Sequence, residues 1–149
     1  MIPVSDTDLQ AIRALIERQF ASMSWKVNGA PDWAAFKNDF IPDAQLFPST
    51  RPTRAQSPSA FMARMDGLVG TTLRSLEEVV LRSSVQIFGN VAVAVVACEN
   101  NENDTDVTRV VEMLLLLNDQ GSWKIAAQAW DKERDDNPIS NAFPAHVTP

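Results

Sequence analysis

Glu112 is the side chain in this sequence whose type and surroundings best fit chemistry. It stands within the apolar run from Val110 to Leu114. A carboxyl group buried there should have a raised pKa unless a cation pairs with it, because burial disfavours the charged form. Such a group can serve as a general acid or base, or as a hydrogen-bond donor, inside a pocket. The alternative is a structural ion pair across the sheet or a dimer face, with one of three cations: Arg82, Arg109 or Lys124.

The aromatic side chains supply a second hypothesis for a site. The chain has four tryptophans and no tyrosine, and aromatic rings offer a large flat apolar area with, in tryptophan, one N–H donor. We expect an apolar or ring-shaped small molecule to bind in a pocket lined by Trp25, Trp33, Phe47, Phe61 and Met65. The alternative is that these side chains are core, since the helices of a small domain need such residues in any case.

Several other kinds of site lack the residues that they need. The sole histidine, His146, lies near the C-terminal end of the sequence, where we expect a solvated side chain rather than a general acid or base. The sole cysteine, Cys98, ends an apolar run and is expected to be a small packed side chain. One histidine, one distant cysteine and scattered carboxylates predict no metal site. No glycine-rich phosphate loop is present either, so we predict no cofactor.

The acidic composition argues against two classes of partner. The net charge is -6 and the pI is about 4.7, which disfavours binding to nucleic acid or to an anionic membrane surface. The apolar runs are too short to span a bilayer, and residues 1–6 lack the segments of a signal peptide, so a cytoplasmic location is expected. The 149 residues fit one domain, with a core over about 5–133 and a C-terminal tail over 134–149.

Helical periodicity predicts three helices in the first half of the chain. Apolar residues recur at helical spacing over 6–23. A second, shorter helix is expected over 33–40, and a short strand over 44–47. The third helix is expected to begin after Ser57, with Pro58 in its first turn.

The second half of the chain alternates as the strands of an antiparallel meander do. The four predicted strands cover residues 79–88, 91–99, 107–117 and 122–131. Gly89 and Asn90 predict a tight hairpin turn between the first two. The middle two strands are apolar on both faces, so both faces of the sheet must be covered. The helices can cover one, and a second copy of the chain would cover the other, which predicts a homodimer. Alternatively, the C-terminal segment folds back over that face.

Three short motifs accompany this order of elements: Phe40-Ile41-Pro42-Asp43-Ala44, Gly121-Ser122-Trp123-Lys124-Ile125 and, with weaker support, Gln128-Ala129-Trp130-Asp131. Together with the order of elements they resemble the nuclear transport factor 2-like superfamily, which includes ketosteroid isomerases, scytalone dehydratase and SnoaL-like polyketide cyclases. The resemblance implies an α+β fold of the cystatin-like cone type, in which three N-terminal helices pack on a strongly curved antiparallel sheet. It also implies a pocket between the helices and the concave face of the sheet, and a dimer contact through the outer face.

The chemistry of the enzymes in that superfamily is largely missing from this sequence. Ketosteroid isomerases have a carboxylate base just after the strand that follows the second helix, and here Phe47 and Pro48 stand there. They also have a tyrosine that donates to the oxyanion, and this chain has no tyrosine. Glu112 lies at or next to the position of their second donor, a protonated acid. Scytalone dehydratase uses pairs of His and Asp, and the sole histidine here lies in the tail.

The sequence therefore predicts a small-molecule-binding protein with an apolar, aromatic-lined pocket, and it leaves catalysis open. One alternative is a cofactor-free lyase or isomerase that uses Glu112 as its acid or base. Another is a non-catalytic dimeric protein-interaction module, since the founding member of the superfamily binds proteins. A closed apolar cavity that holds Glu112 would favour small-molecule binding, whereas a cavity filled by Trp and Phe rings would favour the interaction module.

Overall fold

The computed structural model of the chain describes residues 6–144, in which helices pack on one face of a curved sheet. The elements of this range are α1 (Asp6–Ser22), α2 (Trp33–Asn38), β1 (Phe40–Phe47), α3 (Pro58–Asp66), β2 (Leu76–Phe88), β3 (Val91–Glu102), β4 (Asp106–Asp119) and β5 (Ser122–Lys132). A short 3₁₀ helix follows (Ile139–Ala142). None of the helices in residues 6–144 is long and apolar enough to cross a lipid bilayer.

The helices begin where the sequence offers a favourable first turn, and each buries one face. α1 has Asp6 and Asp8 in its first turn, where carboxylates interact favourably with the helix dipole. The side chains of Asp32 and Ser57 cap α2 and α3, each by accepting a hydrogen bond from the backbone N–H three residues later. The buried face of α1 repeats every three to four residues and includes Ile12, Leu15, Ile16, Gln19 and Phe20.

The strands are ordered β1-β5-β4-β3-β2 across the sheet. β2 to β5 form the predicted antiparallel meander, and Gly89 and Asn90 connect β2 to β3 directly, as the hairpin prediction required. β1 is different because it pairs with β5 in parallel. The core lies between the helices and one face of this sheet, which we call the concave face; the opposite one is the outer face.

The boundary between α2 and β1 differs from the sequence expectation. A helix was expected through residue 40, but α2 ends at Asn38 and Phe40 is already part of β1. Phe40 pairs with Ile125 of β5, and the Ile125 N–H donates to the Asp39 carbonyl at 2.8 Å. Pairing with a strand that is distant in sequence therefore outweighs the local helical periodicity of this segment.

A β-bulge at Leu81 determines which β2 side chains face the helices. The register with β3 shifts between Val80 and Arg82. Glu78 and Val80, before the bulge, therefore share the concave face with Ser83 after it, although simple alternation would separate them. The bulge thus brings a carboxylate to the concave face.

The outer face is covered only at one end. The segment after β5 folds back onto it, so that the 3₁₀ helix packs against β3 and β4 and the Arg82 guanidinium lies 4.3 Å from the centre of the Phe143 ring. Ala97, which faces this side, is fully buried. Other large apolar side chains of this face are exposed, and four of them, Val91, Val93, Met113 and Leu115, are called the outer patch below. The folded-back tail therefore covers part of the outer face, and the outer patch remains open.

Candidate functional site

Glu112 faces the helices rather than the outer face. It lies on β4 and is 6% exposed. Its neighbours across the sheet are Val96 on β3 and Trp130 on β5. It accepts a hydrogen bond from Gln128 Nε2 and another, at 3.6 Å, from the Cys98 thiol. The carboxyl group is thus buried on the side where the sequence predicted a pocket.

The cations considered as partners of Glu112 lie elsewhere. Arg82 stacks on an aromatic ring, and Lys124 donates to a backbone carbonyl. Arg109 pairs with Glu99, with 3.6 Å between Nε and Oε2. Among residues 6–144, none forms an ion pair with Glu112. The structural ion pair that stood as the alternative for this residue therefore does not form within the part of the chain that the structure describes.

Glu112 belongs to a line of polar side chains that crosses the concave face. Glu78 on β2, Cys98 on β3 and Gln128 on β5 point to the same side as Glu112 on β4. Gln19 of α1 reaches this line from the helix layer, where its Nε2 donates to Gln128 Oε1 at 2.8 Å. We call these five residues the polar stripe. Gln19 and Cys98 are fully buried and Gln128 is 2% exposed.

Burial governs the ionisation of the polar stripe. It raises the pKa of Glu112 to about 7, although the hydrogen bonds from Gln128 and Cys98 act in the opposite direction. Burial and the negative charge of Glu112 raise the pKa of Glu78 well above its ordinary value. Burial and both carboxylates also raise the pKa of the Cys98 thiol, so this thiol keeps its proton and donates it. Because the two carboxyl groups interact, ionising one disfavours ionising the other.

An aromatic cluster lies beside Glu112. Phe36 stacks on Phe61 with ring centroids 5.5 Å apart, and Phe61 meets Trp130 edge-on at 6.0 Å. Trp33 meets Phe36 edge-on at 5.5 Å. We call these four residues the aromatic cluster. Rings therefore fill space next to the carboxyl group, which is the arrangement that was expected to favour the interaction module.

The structure brings three of the five predicted ligand-binding residues to this region. Trp33 and Phe61 belong to the aromatic cluster, and Met65 of α3 packs against the same core. Trp25 lies in a separate, smaller core cluster. Phe47 lines a hollow of about 450 Å³ on the outer face. The part that these residues play in binding stays a prediction.

Sequence reasoning missed Gln19, Glu78 and Gln128 as members of a site. Gln19 occupies the buried face of α1, and a polar residue at such a position is the signal that could have revealed it. Gln128 likewise interrupts the buried face of β5. Glu78 carried no such signal. Simple alternation from the later part of β2 would place Glu78 on the outer face, and only the bulge at Leu81 turns it to the concave face.

Cys98 contributes to the polar stripe as a packed hydrogen-bond donor rather than as a reactive thiol. Cys98 is buried, as expected of a packed side chain. Within residues 6–144, no group of three or more His, Cys, Asp or Glu side chains is placed to hold a metal ion. His146 lies outside the described residues.

The fold has relatives among solved structures, although no protein-family model and no curated protein matches the chain. A nuclear transport factor 2-like protein from Pseudomonas putida KT2440 aligns with a TM-score of 0.71 and 17% identity, over 88% of this chain and 90% of that one. One from Silicibacter pomeroyi DSS-3 aligns with a TM-score of 0.64 and 20% identity, over 87% and 99%. A candidate ketosteroid isomerase from Parabacteroides distasonis ATCC 8503 aligns with a TM-score of 0.61 and 19% identity, over 83% and 86%. These likenesses confirm that the chain has the α+β cone fold of nuclear transport factor 2-like proteins.

Proposed function

We propose that the protein binds a small, largely apolar molecule at the concave face, with Glu112 as the hydrogen-bonding partner of its polar group. The observation that carries the proposal is the placement of Glu112, a buried carboxyl group with no cation partner among the described residues, next to the aromatic cluster. A buried carboxyl group without a cation lowers stability. Its presence in the core is therefore better explained by recognition than by packing.

The apolar body of the molecule would contact the aromatic cluster and α3. Trp130 is only partly buried, and so are Met62 and Met65. Methionine side chains are flexible and fill irregular spaces, so these residues can move to admit a ring. The name of one structural neighbour, a candidate ketosteroid isomerase, refers to a ring-shaped compound, which supports the same class of ligand for this chain.

Calorimetric titration with 2-naphthylmethanol tests the proposal, because this probe joins an apolar ring system to one hydroxyl group. We expect saturable binding to the native protein. Glu112→Gln should weaken binding about tenfold or more, because a charge-assisted hydrogen bond is roughly twice as strong as a neutral one. Glu99→Gln is the matched control, since Glu99 lies on the neighbouring strand β3 and pairs with Arg109. Equal affinity in both variants would contradict a role for Glu112.

The tryptophan indole N–H signals in a ¹H–¹⁵N NMR spectrum locate the same probe. Binding at the concave face should shift the signal of Trp130, which neighbours Glu112 across the strands. The signal of Trp25 should stay in place, since this residue belongs to the separate core cluster. A complete absence of binding would overturn the proposal and favour the interaction module.

A second candidate function is acid–base catalysis on the bound molecule by Glu112. The observation that favours it is the pKa of Glu112, which burial raises to about 7. A group with a pKa near neutrality exchanges protons efficiently at physiological pH. The reaction class that fits is a cofactor-free elimination or isomerisation, in which one carboxyl group moves a proton.

We also propose that the outer patch is the contact of a homodimer. The residues that line the hollow beside the outer patch are apolar except for Gln128, whose side chain points to the concave face, and none of them is charged. An uncharged surface does not repel a second copy of itself, whereas the chain as a whole carries a net charge of -6. Phe88 is 85% exposed at the end of β2, so the same face offers a protruding ring and an apolar hollow. A two-fold contact can use both.

A further inference from the structure

The unpaired polar atoms of the concave face are all of one kind. Gln19 Oε1, Glu78 Oε2 and Asn100 Oδ1 are enclosed, and none has a hydrogen-bond partner among residues 6–144. Asn100 shares the concave face because it pairs directly with Glu78 across β2 and β3. Each of these atoms is an oxygen that accepts hydrogen bonds. What this face lacks is therefore donors, since an unsatisfied buried acceptor costs roughly 1–3 kcal/mol.

The hydrogen-bond chain explains why the unpaired atom of Gln19 is an oxygen. Glu112 accepts from Gln128 Nε2, so the Gln128 amide turns its oxygen toward α1. That oxygen accepts from Gln19 Nε2 at 2.8 Å. This series of side-chain hydrogen bonds therefore ends at Gln19 Oε1. Gln19 is fully buried, so this oxygen is an acceptor held against the polar stripe without a donor.

Positive charge is also missing from the enclosed part of this face among residues 6–144, since Lys132, at the end of β5, is exposed. Two carboxyl groups, Glu78 and Glu112, lie close enough to influence each other's ionisation. The ion pairs within residues 6–144 involve other residues, among them Arg18 with Asp39 and Arg109 with Glu99. An ammonium group has three N–H donors, no acceptor and one positive charge. An ammonium group therefore supplies both the hydrogen-bond donors and the positive charge that the enclosed part of this face lacks.

We infer that the polar group of the ligand is a protonated amine, held between Glu78 and Glu112 with Gln19 Oε1 and Asn100 Oδ1 as further acceptors. This inference rests on the proposed binding of a small molecule at the concave face and specifies its substrate class. The ligand is thus an apolar or ring-shaped body that carries a primary or secondary amine. Hydrogen bonds to ionised partners are stronger than neutral ones, so charge decides which polar group is preferred.

Three probes that share one ring system test the inference by calorimetric titration. They are 2-naphthylmethylamine, 2-naphthylmethanol and 2-naphthoate. At about pH 8 the amine is protonated and the carboxylic acid is ionised. We expect the amine to bind at least about tenfold more tightly than the alcohol. The naphthoate should bind more weakly than both, because its negative charge would be buried beside Glu78 and Glu112 with no cation to balance it.

Two substitutions assign any preference for the amine to the polar stripe. Glu78→Gln should lower the ratio of amine affinity to alcohol affinity, because it removes a carboxyl group that can give up its proton and pair with the ammonium group. Glu77→Gln is the matched control on the same strand, where Glu77 is exposed, and it should leave the ratio unchanged. Gln19→Met is a second variant that removes the unpaired oxygen and should lower the ratio too. Circular dichroism spectra establish that each variant is folded before titration.

The outcomes separate the inference from the proposal on which it rests. Alcohol affinity equal to or above amine affinity would overturn the amine and leave the proposed function standing; the unpaired oxygens would then be satisfied by water. Preference for the naphthoate would overturn the inference as well. If none of the three probes binds, the proposed function itself fails and the inference falls with it. A preference for the amine that Glu78→Gln and Glu77→Gln reduce equally would also contradict it.

Discussion

The two carboxyl groups of the polar stripe give this protein a pH-dependent stability. Burial raises the pKa of Glu112 from its ordinary value of 4.5 to about 7, and the pKa of Glu78 shifts in the same direction. Between the ordinary and the raised value, the folded state binds more protons than the unfolded state. The free energy of unfolding therefore falls as the pH rises through this window. The titratable groups that face Glu112 are Glu78 and Cys98, and Glu102 acts on Glu78.

We predict that the native protein is less stable at pH 8 than at pH 5, and that Glu112→Gln removes part of the difference. One group contributes at most about 1.4 kcal/mol per pH unit, so the variant should recover roughly 1–3 kcal/mol at pH 8. Urea unfolding at a series of pH values measures this. Glu77→Gln, which alters an exposed carboxyl group, should keep the native pH dependence. Identical curves for the two variants would refute the raised pKa of Glu112.

At the scale of the elements, an ion pair between a buried Asp39 and a half-exposed Arg18 joins α1 to the junction of α2 and β1. Asp39 is 1% exposed, and its Oδ1 accepts from Arg18 Nη2 at 2.7 Å and from Arg18 Nε at 3.0 Å. Its carbonyl accepts from the Ile125 N–H of β5. Asp39 thus connects α1, the start of β1 and the neighbouring strand β5. Burial raises the pKa of Asp39, and the Arg18 guanidinium counteracts that shift.

We predict that Arg18→Met lowers the free energy of unfolding by roughly 1–3 kcal/mol, because it leaves a buried carboxylate without its cation. The loss should be smaller than for a fully buried ion pair, because the Arg18 side chain is 49% exposed and solvent screens its charge. Urea unfolding at neutral pH measures the loss. Arg13→Met is the control on the exposed face of the same helix, and it should change stability by less than about 0.5 kcal/mol. Equal losses in the two variants would show that Asp39 does not depend on Arg18.

At the scale of the whole molecule, the proposed homodimer depends on the outer face. The 3₁₀ helix packs against β3 and β4 on this face, and Ala97 of β3 is buried there. The outer patch stays open, with Val93 47% and Met113 54% exposed. Contiguous exposed apolar surface of this kind is typical of protein interfaces. The tail therefore bounds the proposed contact rather than replacing it.

We predict that the native protein sediments as a dimer in analytical ultracentrifugation and that Met113→Glu converts it to a monomer. A carboxylate at the centre of a two-fold contact meets its own copy or loses its hydration, and both effects disfavour association. Val27→Glu is the matched control, because Val27 is 57% exposed and lies in the connection between α1 and α2. A native protein that sediments as a monomer would overturn the dimer.

The sequence by itself determined the features that depend on local periodicity and turn chemistry. The repeat of apolar residues gave α1 its bounds within one residue, and Gly89 with Asn90 marked the hairpin between β2 and β3. A carboxylate in an apolar strand drew attention to Glu112, which is buried. These features were predictable because each is set by residues a few positions apart.

Only the tertiary structure decided which side chains meet. The bulge at Leu81 turns Glu78 toward the helices, and parallel pairing with β5 makes Phe40 part of a strand. The hydrogen bond between Gln19 and Gln128 spans 109 positions of sequence. Periodicity gives the face on which a residue lies, but register and bulges set its neighbours, and these depend on the packing of the whole sheet. The acid of the candidate site was therefore visible in the sequence, whereas the polar stripe that surrounds it was not.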